Sequence, residues 1–117
     1  ITGNEDMHLK NFSVITKAGK TTLAPVYDFL NSSISIKNPQ EELALSLKGK
    51  KSNFKATELI DYYAKERLEL NDKTIDAILL DMTKRVSIWT ELVEISFLSD
   101  GMKEKYLKLM ENRIKRF

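Results

Sequence analysis

The sequence contains no cysteine, only two prolines and four glycines, and no apolar run near the roughly 20 residues that a membrane-spanning helix needs. The lack of cysteine excludes disulfide frameworks, thiolate zinc sites and cysteine nucleophiles, and it favours a reducing compartment. The start of the chain is polar where a signal peptide would be apolar. Because 19 basic side chains nearly balance 17 acidic ones, the net charge of +2 gives no general attraction to nucleic acid or membranes. We therefore expect a soluble, cytoplasmic protein.

The length of 117 residues suits one compact unit, since a single hydrophobic core organises about 100 to 150 residues. The chain has no initiator methionine, so we expect it to be a fragment of a longer protein. Residues 1–51 hold both prolines and three of the four glycines, whereas residues 52–117 show helical periodicity. We predict a single fragment with these two segments.

The first segment carries the signals of a β-hairpin. Residues 12–16 are rich in aromatic and β-branched side chains, residues 17–20 supply a turn, and residues 21–24 return antiparallel. Residues 43–47 alternate leucine with small side chains, which favours a short buried strand.

The second segment predicts three helices. The first begins near Lys55, the second follows an N-cap at Asn71 and runs to about Phe97, and the third begins at Ser99 or Asp100. Apolar residues of the first helix, including Tyr63 and Leu68, share one face at helical spacing. We therefore predict an α+β fold, mainly helical, with the hairpin followed by a helical subdomain.

The densest polar cluster lies just before the hairpin and contains Asp6 and Asn11, five residues apart. Phosphoryl transfer needs a carboxylate to accept the proton of the attacking hydroxyl, and oxygen ligands for magnesium. In the catalytic loop of protein kinases, the base Asp and the metal-binding Asn have this separation. Asp28 follows the hairpin, where a second metal ligand would be expected. His8 and Lys10 would place positive charge near a transferred phosphoryl group.

Three stretches of the sequence, taken in order, make this hypothesis more specific. They read Gly3-Asn4-x-Asp6-x-His8-x-Lys10-Asn11-Phe12-Ser13, then Leu23-x-Pro25-x-Tyr27-Asp28, then Glu42-Leu43-Ala44-Leu45-Ser46-Leu47-x-Gly49-Lys50. Together they resemble the C-terminal part of HipA-like serine/threonine kinases, the toxins of bacterial toxin–antitoxin pairs, whose kinase-like C-lobe this chain would partly form. The resemblance implies that Asp6 is the catalytic base, that Asn11 and Asp28 bind magnesium, and that His8 and Lys10 support the loop. Asp6, His8, Asn11 and Asp28 would contact the Mg²⁺–ATP complex.

The resemblance also implies an activity and partners. The intact protein would transfer the γ-phosphoryl group of ATP to Ser or Thr of a protein target, such as a component of the translation apparatus. A small DNA-binding antitoxin would be its partner, and neither direct nucleic-acid binding nor membrane binding is expected. Met7 and the stretch Asn31-Ser32-Ser33 depart from the family pattern, and we expect neither to affect the chemistry.

No glycine-rich loop and no strand lysine of the kinase type precede Gly3. Tight binding of ATP and Mg²⁺ would therefore need an upstream portion, and the fragment alone is expected to be inactive. Apolar surface that this portion would cover is expected to cause self-association.

Alternatives remain open for the same residues. A loop of the form Asp-x-His-x-x-Asn also occurs in phosphoinositide-type lipid kinases, and a non-catalytic helical interaction module would keep these residues only as structure. A Gly-Asn-Glu-Asp stretch commonly forms a turn, because Asn and Asp bond to neighbouring backbone. His8 is equally well interpreted as a hydrogen-bonded loop residue, and Asp28 as a local cap for backbone amides.

Overall fold

The chain folds into a two-stranded antiparallel hairpin and three helices, which confirms the predicted α+β, mainly helical fold. The computed structural model describes residues 1–117, and these divide into two compact units. One unit is Gly3–Ser52, and the other combines Ile1–Thr2 with Asn53–Phe117. None of the helices is long and apolar enough to cross a membrane.

The hairpin of the first unit consists of β1 (Val14–Lys17) and β2 (Lys20–Leu23), and Lys17 lies opposite Lys20 in its register. The two turn residues, Ala18 and Gly19, have φ angles of 49° and 75°. Positive φ at both central residues defines the type I′ turn, whose twist matches that of the flanking strands. The predicted hairpin is therefore confirmed, with its turn at residues 17–20 as predicted.

Residues 43–47 do not form the strand that the sequence predicted. The backbone N–H groups of Glu42 and Leu43 both donate to the carbonyl of Lys51, at 2.7 and 3.1 Å. Leu47 and Lys50 then close a second two-residue turn through reciprocal backbone hydrogen bonds of 2.8 and 3.0 Å. Both ends of the segment therefore bond to residues 50 and 51, which follow it closely in the sequence, and it forms an isolated bridge instead of a strand.

The second unit contains a π-helix (Glu58–Arg67), α1 (Asp72–Glu94) and α2 (Asp100–Ile114). The predicted N-cap of α1 is confirmed, because Asn71 Oδ1 accepts hydrogen bonds from Thr74 N–H at 2.9 Å and from Thr74 Oγ1 at 3.1 Å. Four buried hydrophobic side chains form the core of this unit: Phe54, Ile75, Val93 and Met110.

The second helix ends earlier than predicted, at Glu94 rather than near Phe97. Ser96 Oγ donates to the carbonyl of Val93 at 2.6 Å, and Lys103 Nζ donates to the carbonyl of Glu94 at 2.7 Å. These side chains satisfy carbonyls that lose their helical partners at a C-terminus. The apolar spacing continues beyond Glu94, but side-chain caps end the helix there.

The first predicted helix is present as a π-helix, in which hydrogen bonds span five residues. The N–H of Leu68, for example, donates to the carbonyl of Tyr63 at 3.0 Å. Tyr63 and Leu68 were predicted on one packed face, yet they are 44% and 48% exposed. A π-helix has a wider turn than an α-helix, so side chains at α-helical spacing do not stay on one face.

The π-helix is joined to α1 by an ion pair. Lys65 Nζ lies 2.8 Å from Asp72 Oδ1. The hydrogen bond to Asp72, followed by its negative charge, raises the pKa of Lys65 above its ordinary value. Both side chains are well exposed, so water screens the pair and its contribution to stability is small.

Candidate functional site

The loop before the hairpin is folded by short-range hydrogen bonds into consecutive turns. Asn4 Oδ1 accepts the N–H of Asp6 at 3.1 Å, and the carbonyl of Asp6 accepts the N–H of His8 at 2.9 Å. Residues Leu9–Asn11 then form one turn of 3₁₀-helix. This geometry fixes the backbone of Asp6 while its side chain remains 77% exposed. A carboxylate presented in this way is accessible to an incoming hydroxyl group.

The carboxylate of Asp6 has one basic neighbour within the loop. Its Oδ1 lies 3.7 Å from Nε2 of His8, whose side chain is 46% exposed. The separation is too long for a hydrogen bond, and the pair is ionic only when the imidazole is protonated. His8 therefore lies beside the Asp6 carboxylate without a hydrogen bond that would hold it rigidly.

A short hydrogen bond joins the two predicted metal ligands. Asn11 Nδ2 donates to Asp28 Oδ2 at 2.7 Å, and Asn11 Oδ1 accepts the backbone N–H of His8 at 3.2 Å. The amide orientation follows from its partners, because a carboxylate only accepts and a backbone N–H only donates. Asn11 is 9% exposed whereas Asp28 is exposed, so this contact is partly buried. The pair brings together two residues that are 17 positions apart in the sequence.

Two further hydrogen bonds attach the segment of Asp28 to the loop. Asn4 Nδ2 donates to the backbone carbonyl of Asp28 at 3.4 Å, a long and weak contact. The hydroxyl of Tyr27 donates to the backbone carbonyl of Lys10 at 3.2 Å. Together with the bond from Asn11, these contacts hold residues 27–28 against both ends of the loop.

A third attachment, which we call the serine clasp, consists of Gly3, Glu5, Ser32 and Ser33. The N–H and the Oγ of Ser33 both donate to the carbonyl of Gly3, at 3.0 and 2.9 Å. Ser32 Oγ accepts the N–H of Glu5 at 2.9 Å. The serine clasp therefore fastens the start of the loop to the chain that follows Asp28.

Four of the five predicted site residues are connected in this unit. Asp6 contacts His8, the backbone of His8 bonds to Asn11, and Asn11 bonds to Asp28. Lys10 joins the arrangement only through its backbone carbonyl, and its side chain is exposed. The roles assigned to these five residues stay predictions.

The donor set suits magnesium that is shared with phosphate. Asn11 Oδ1 retains a second lone pair, and Asp28 retains Oδ1, so an amide and a carboxylate oxygen are both available. Magnesium prefers such oxygens and usually binds one or two carboxylates, with water and substrate phosphate as its other ligands. No group of three or more His, Cys, Asp or Glu side chains forms a metal-binding cluster in the chain. The residues therefore fit an ion held jointly with a ligand rather than one enclosed by protein.

Sequence reasoning missed Asn4, Tyr27, Ser32 and Ser33 as parts of this arrangement. The Asn-x-Asp spacing of residues 4 and 6 is a recognisable signal, since Asn side chains bond to the backbone two residues ahead. The contacts of Tyr27 and of the two serines join residues 17 to 30 positions apart. No local sequence signal announces contacts of that kind.

One protein-family model matches most of the chain. A family model described as HipA-like C-terminal domain matches residues 1–89 of the 117. The chain belongs to the HipA-like C-terminal domain family. The match to this HipA-like domain includes the loop, the hairpin, Asp28, the π-helix and the first part of α1, and it confirms the resemblance seen in the motifs. No curated protein matches the chain.

Proposed function

We propose that this HipA-like domain supplies the catalytic base and the metal ligands of a kinase. The intact protein would transfer the γ-phosphoryl group of ATP to a Ser or Thr hydroxyl of a protein. The observation that carries the proposal is the 2.7 Å contact between Asn11 and Asp28, on a loop that also presents Asp6. Membership of the HipA-like family supports it, because kinase activity is what the resemblance implies.

Each residue has a distinct role in this proposal. Asp6 accepts the proton of the attacking hydroxyl, and its exposed carboxylate permits direct contact with that group. Asn11 and Asp28 would hold Mg²⁺, which when bound neutralises charge on the phosphate oxygens. His8 and Lys10 add positive charge around the loop. Because phosphoryl transfer depends mainly on positioning and charge stabilisation, a fixed loop backbone is the main contribution of the fold.

The proposal extends to the cellular setting. ATP and Mg²⁺ are the cofactors, the protein acts in the cytoplasm, and its target belongs to a class that includes the translation apparatus. A small DNA-binding antitoxin is the proposed partner. These points are supported only by the likeness of the sequence motifs to those of HipA-like kinases.

Replacing the proposed base tests the reaction directly. In the full-length protein that contains this chain, Asp6→Asn should lower kcat by at least about 10²-fold, because general-base catalysis typically contributes that much. Affinity for ATP should be largely kept, since Asp6 is proposed to act on the attacking hydroxyl while Asn11 and Asp28 hold the metal. The measurement is transfer of labelled phosphate from ATP to casein and to the protein itself.

The matched control is Asp76→Asn, an exposed carboxylate on α1 that should leave kcat unchanged. Unimpaired transfer by Asp6→Asn would remove the base assignment. If the unaltered enzyme labels no protein, the proposed reaction is contradicted. If it labels only phosphoinositide vesicles, a lipid kinase is favoured.

A non-catalytic interaction module is the second candidate, and one observation favours it. Both polar atoms of Asn11 and one oxygen of Asp28 already bond within the protein, as they would in a purely structural loop. Titration of the full-length protein with Mg²⁺–ATP separates the two candidates. Saturable binding that requires the metal supports the kinase, and its absence supports the module.

A further inference from the structure

The chain that follows Asp28 is bonded to the loop by several hydrogen bonds that involve none of the proposed reacting groups. Ser33 is 4% exposed and donates twice to one carbonyl, that of Gly3. Ser32 accepts from Glu5, so both neighbours of Asn4 are held. These bonds span 27 to 30 residues of sequence and belong to the best-formed side-chain contacts of the unit.

The serine clasp acts on a backbone position that needs support. Gly3 has a φ of 90°, in the region that favours glycine, and it is buried. A residue without a side chain has many accessible conformations, so the direction of its carbonyl is fixed only by the groups that bond to it. Here those groups are the N–H and the hydroxyl of Ser33, with a longer contact of 3.5 Å from the hydroxyl of Ser32.

The orientation of Gly3 is transmitted to Asp6 through Asn4. Asn4 follows Gly3 directly, and its side chain accepts the N–H of Asp6 and donates to the carbonyl of Asp28. The N–H of Glu5, between Asn4 and Asp6, is held by Ser32. Gly3 and Glu5 therefore bond directly to the two serines of the serine clasp. Asn4 lies between them and bonds to the N–H of Asp6.

We propose that Ser33, assisted by Ser32, is a positioning residue that sets the direction of the Asp6 carboxylate by fixing Gly3 and Glu5. The inference rests on the proposed function, since it assigns Asp6 as the group to be positioned. Ser33 touches no reacting atom and acts only through the loop backbone. This positioning role would mean that the departure of residues 31–33 from the family pattern does affect the chemistry, contrary to our expectation from the sequence.

The expected signature is a loss of turnover without a loss of nucleotide affinity. Ser33→Ala removes the stronger hydroxyl donor to the Gly3 carbonyl and keeps the N–H of residue 33 and the long contact from Ser32 Oγ, so the loop stays attached but Gly3 is held less firmly. A displacement of a catalytic group by about 1 Å can lower a rate by about 10²-fold. We expect Ser33→Ala to lower kcat about 10-fold, with KM for ATP changed by less than about twofold, because the Asn11–Asp28 pair does not bond to Ser33.

A double-mutant cycle in the full-length protein tests the route through Asp6. Transfer of labelled phosphate from ATP to casein is measured for Ser33→Ala, Asp6→Asn and the double variant. If Ser33 acts through Asp6, its replacement should have no further effect once Asp6 is absent. Ser35→Ala is the matched control, since Ser35 is exposed and bonds to Ser32 through its backbone N–H.

The outcomes separate this inference from the proposed function. Suppose that Asp6→Asn lowers kcat. If Ser33→Ala has no effect, or lowers kcat by the same factor in the unaltered protein and in the Asp6→Asn variant, the positioning role is wrong and the base assignment stands. If Asp6→Asn has no effect, the proposed function fails first. Should Ser33→Ala lose its native amide NMR spectrum, Ser32→Ala serves in its place, because it removes the bond to Glu5 at a less buried position. Ser32→Thr, which keeps the acceptor oxygen, should restore kcat, and failure to do so would count against the inference.

Discussion

Asp28 has a backbone φ of 55°, in the left-handed region that few residues other than glycine adopt. Asp and Asn tolerate this region better than other side chains do, although it costs about 1 to 2 kcal/mol for an L-residue. The hydrogen bonds from Asn11 to its carboxylate and from Asn4 to its carbonyl offset part of this cost. A strained residue held by its surroundings is a frequent feature of functional sites.

The left-handed backbone of Asp28 decides which substitution tests its role. Asn keeps both the size and the tolerance of positive φ, whereas Ala would add backbone strain. In the full-length protein, Asp28→Asn should weaken Mg²⁺-dependent ATP binding at least about 10-fold, because changes around a metal ligand typically cost that much. Isothermal titration with ATP, with and without Mg²⁺, gives the comparison.

Two results would bear on the metal assignment. Asp76→Asn, the same chemical change on an exposed helical position, should leave the titration unaltered. Equal Mg²⁺ dependence for Asp28→Asn and the unaltered protein would show that the carboxylate does not hold the ion.

The sequence predicted those site residues that are recognisable from their spacing along the chain. Asp6 and Asn11 are recognisable because five residues separate them within one loop, and Asp28 because it follows a hairpin. The contacts of Ser33 with Gly3, and of Tyr27 with Lys10, arise only when distant segments meet. Serine is common in turns and marks no position by itself, so reasoning from residue type does not find them.

At the scale of elements, capping and turn chemistry explain which expectations were right. The helix after Asn71 starts as predicted, because an Asn before a periodic run is a strong N-terminal signal. The strand expected at residues 43–47 is absent, since its leucines fit several local structures and the backbone bonds to Lys51 instead. The π-helix was not predictable, because apolar spacing cannot distinguish it from an α-helix over so few turns.

The cap of α1 gives a stability prediction. Asn71→Ala removes the acceptor of two hydrogen bonds from Thr74, and loss of such a cap typically costs about 1 kcal/mol. The melting temperature, followed by circular dichroism, should fall by about 4 to 8 °C for a unit of this size. The melting temperature of Asn71→Gly should fall less, because Gly is a fair N-cap.

The control for this change is Asn112→Ala, at an exposed position of α2, which should not destabilise the chain because Ala has the higher helix propensity. Equal melting temperatures for Asn71→Ala and the unaltered chain would mean that the cap contributes nothing measurable.

For the whole molecule, burial is unevenly shared between the two units. Phe54, Ile75, Val93 and Met110 are the buried hydrophobic side chains, and all of them lie in the second unit. In the first unit the buried side chains are polar, those of Asn11 and Ser33. A two-stranded hairpin is marginally stable by itself, so hydrogen bonds rather than a hydrophobic core hold Gly3–Ser52 together.

The first unit also exposes large apolar side chains, among them Leu23, Val26, Phe29 and Leu30, at 60% to 73%. Extensive exposed apolar surface promotes association, so we expect the chain to form dimers or larger species as its concentration rises. Sedimentation velocity over a concentration series measures this.

Charged substitutions at the exposed surface provide the comparison. The double variant Val26→Asp with Leu30→Asp should shift the distribution toward monomer, whereas Asn112→Asp, on an exposed polar position, should not. A single monomeric species at the highest concentration would contradict the prediction.

The uneven burial has a consequence for calorimetry. The heat capacity increase on unfolding and the slope of a denaturant titration both scale with the apolar surface newly exposed. Because Gly3–Ser52 has half-buried but no fully buried hydrophobic side chains, its unfolding adds less to either quantity than unfolding of the second unit does. A global unfolding curve therefore reports more on the helices than on the loop, and loss of order around Asp6 and Asp28 would account for the smaller part of the signal.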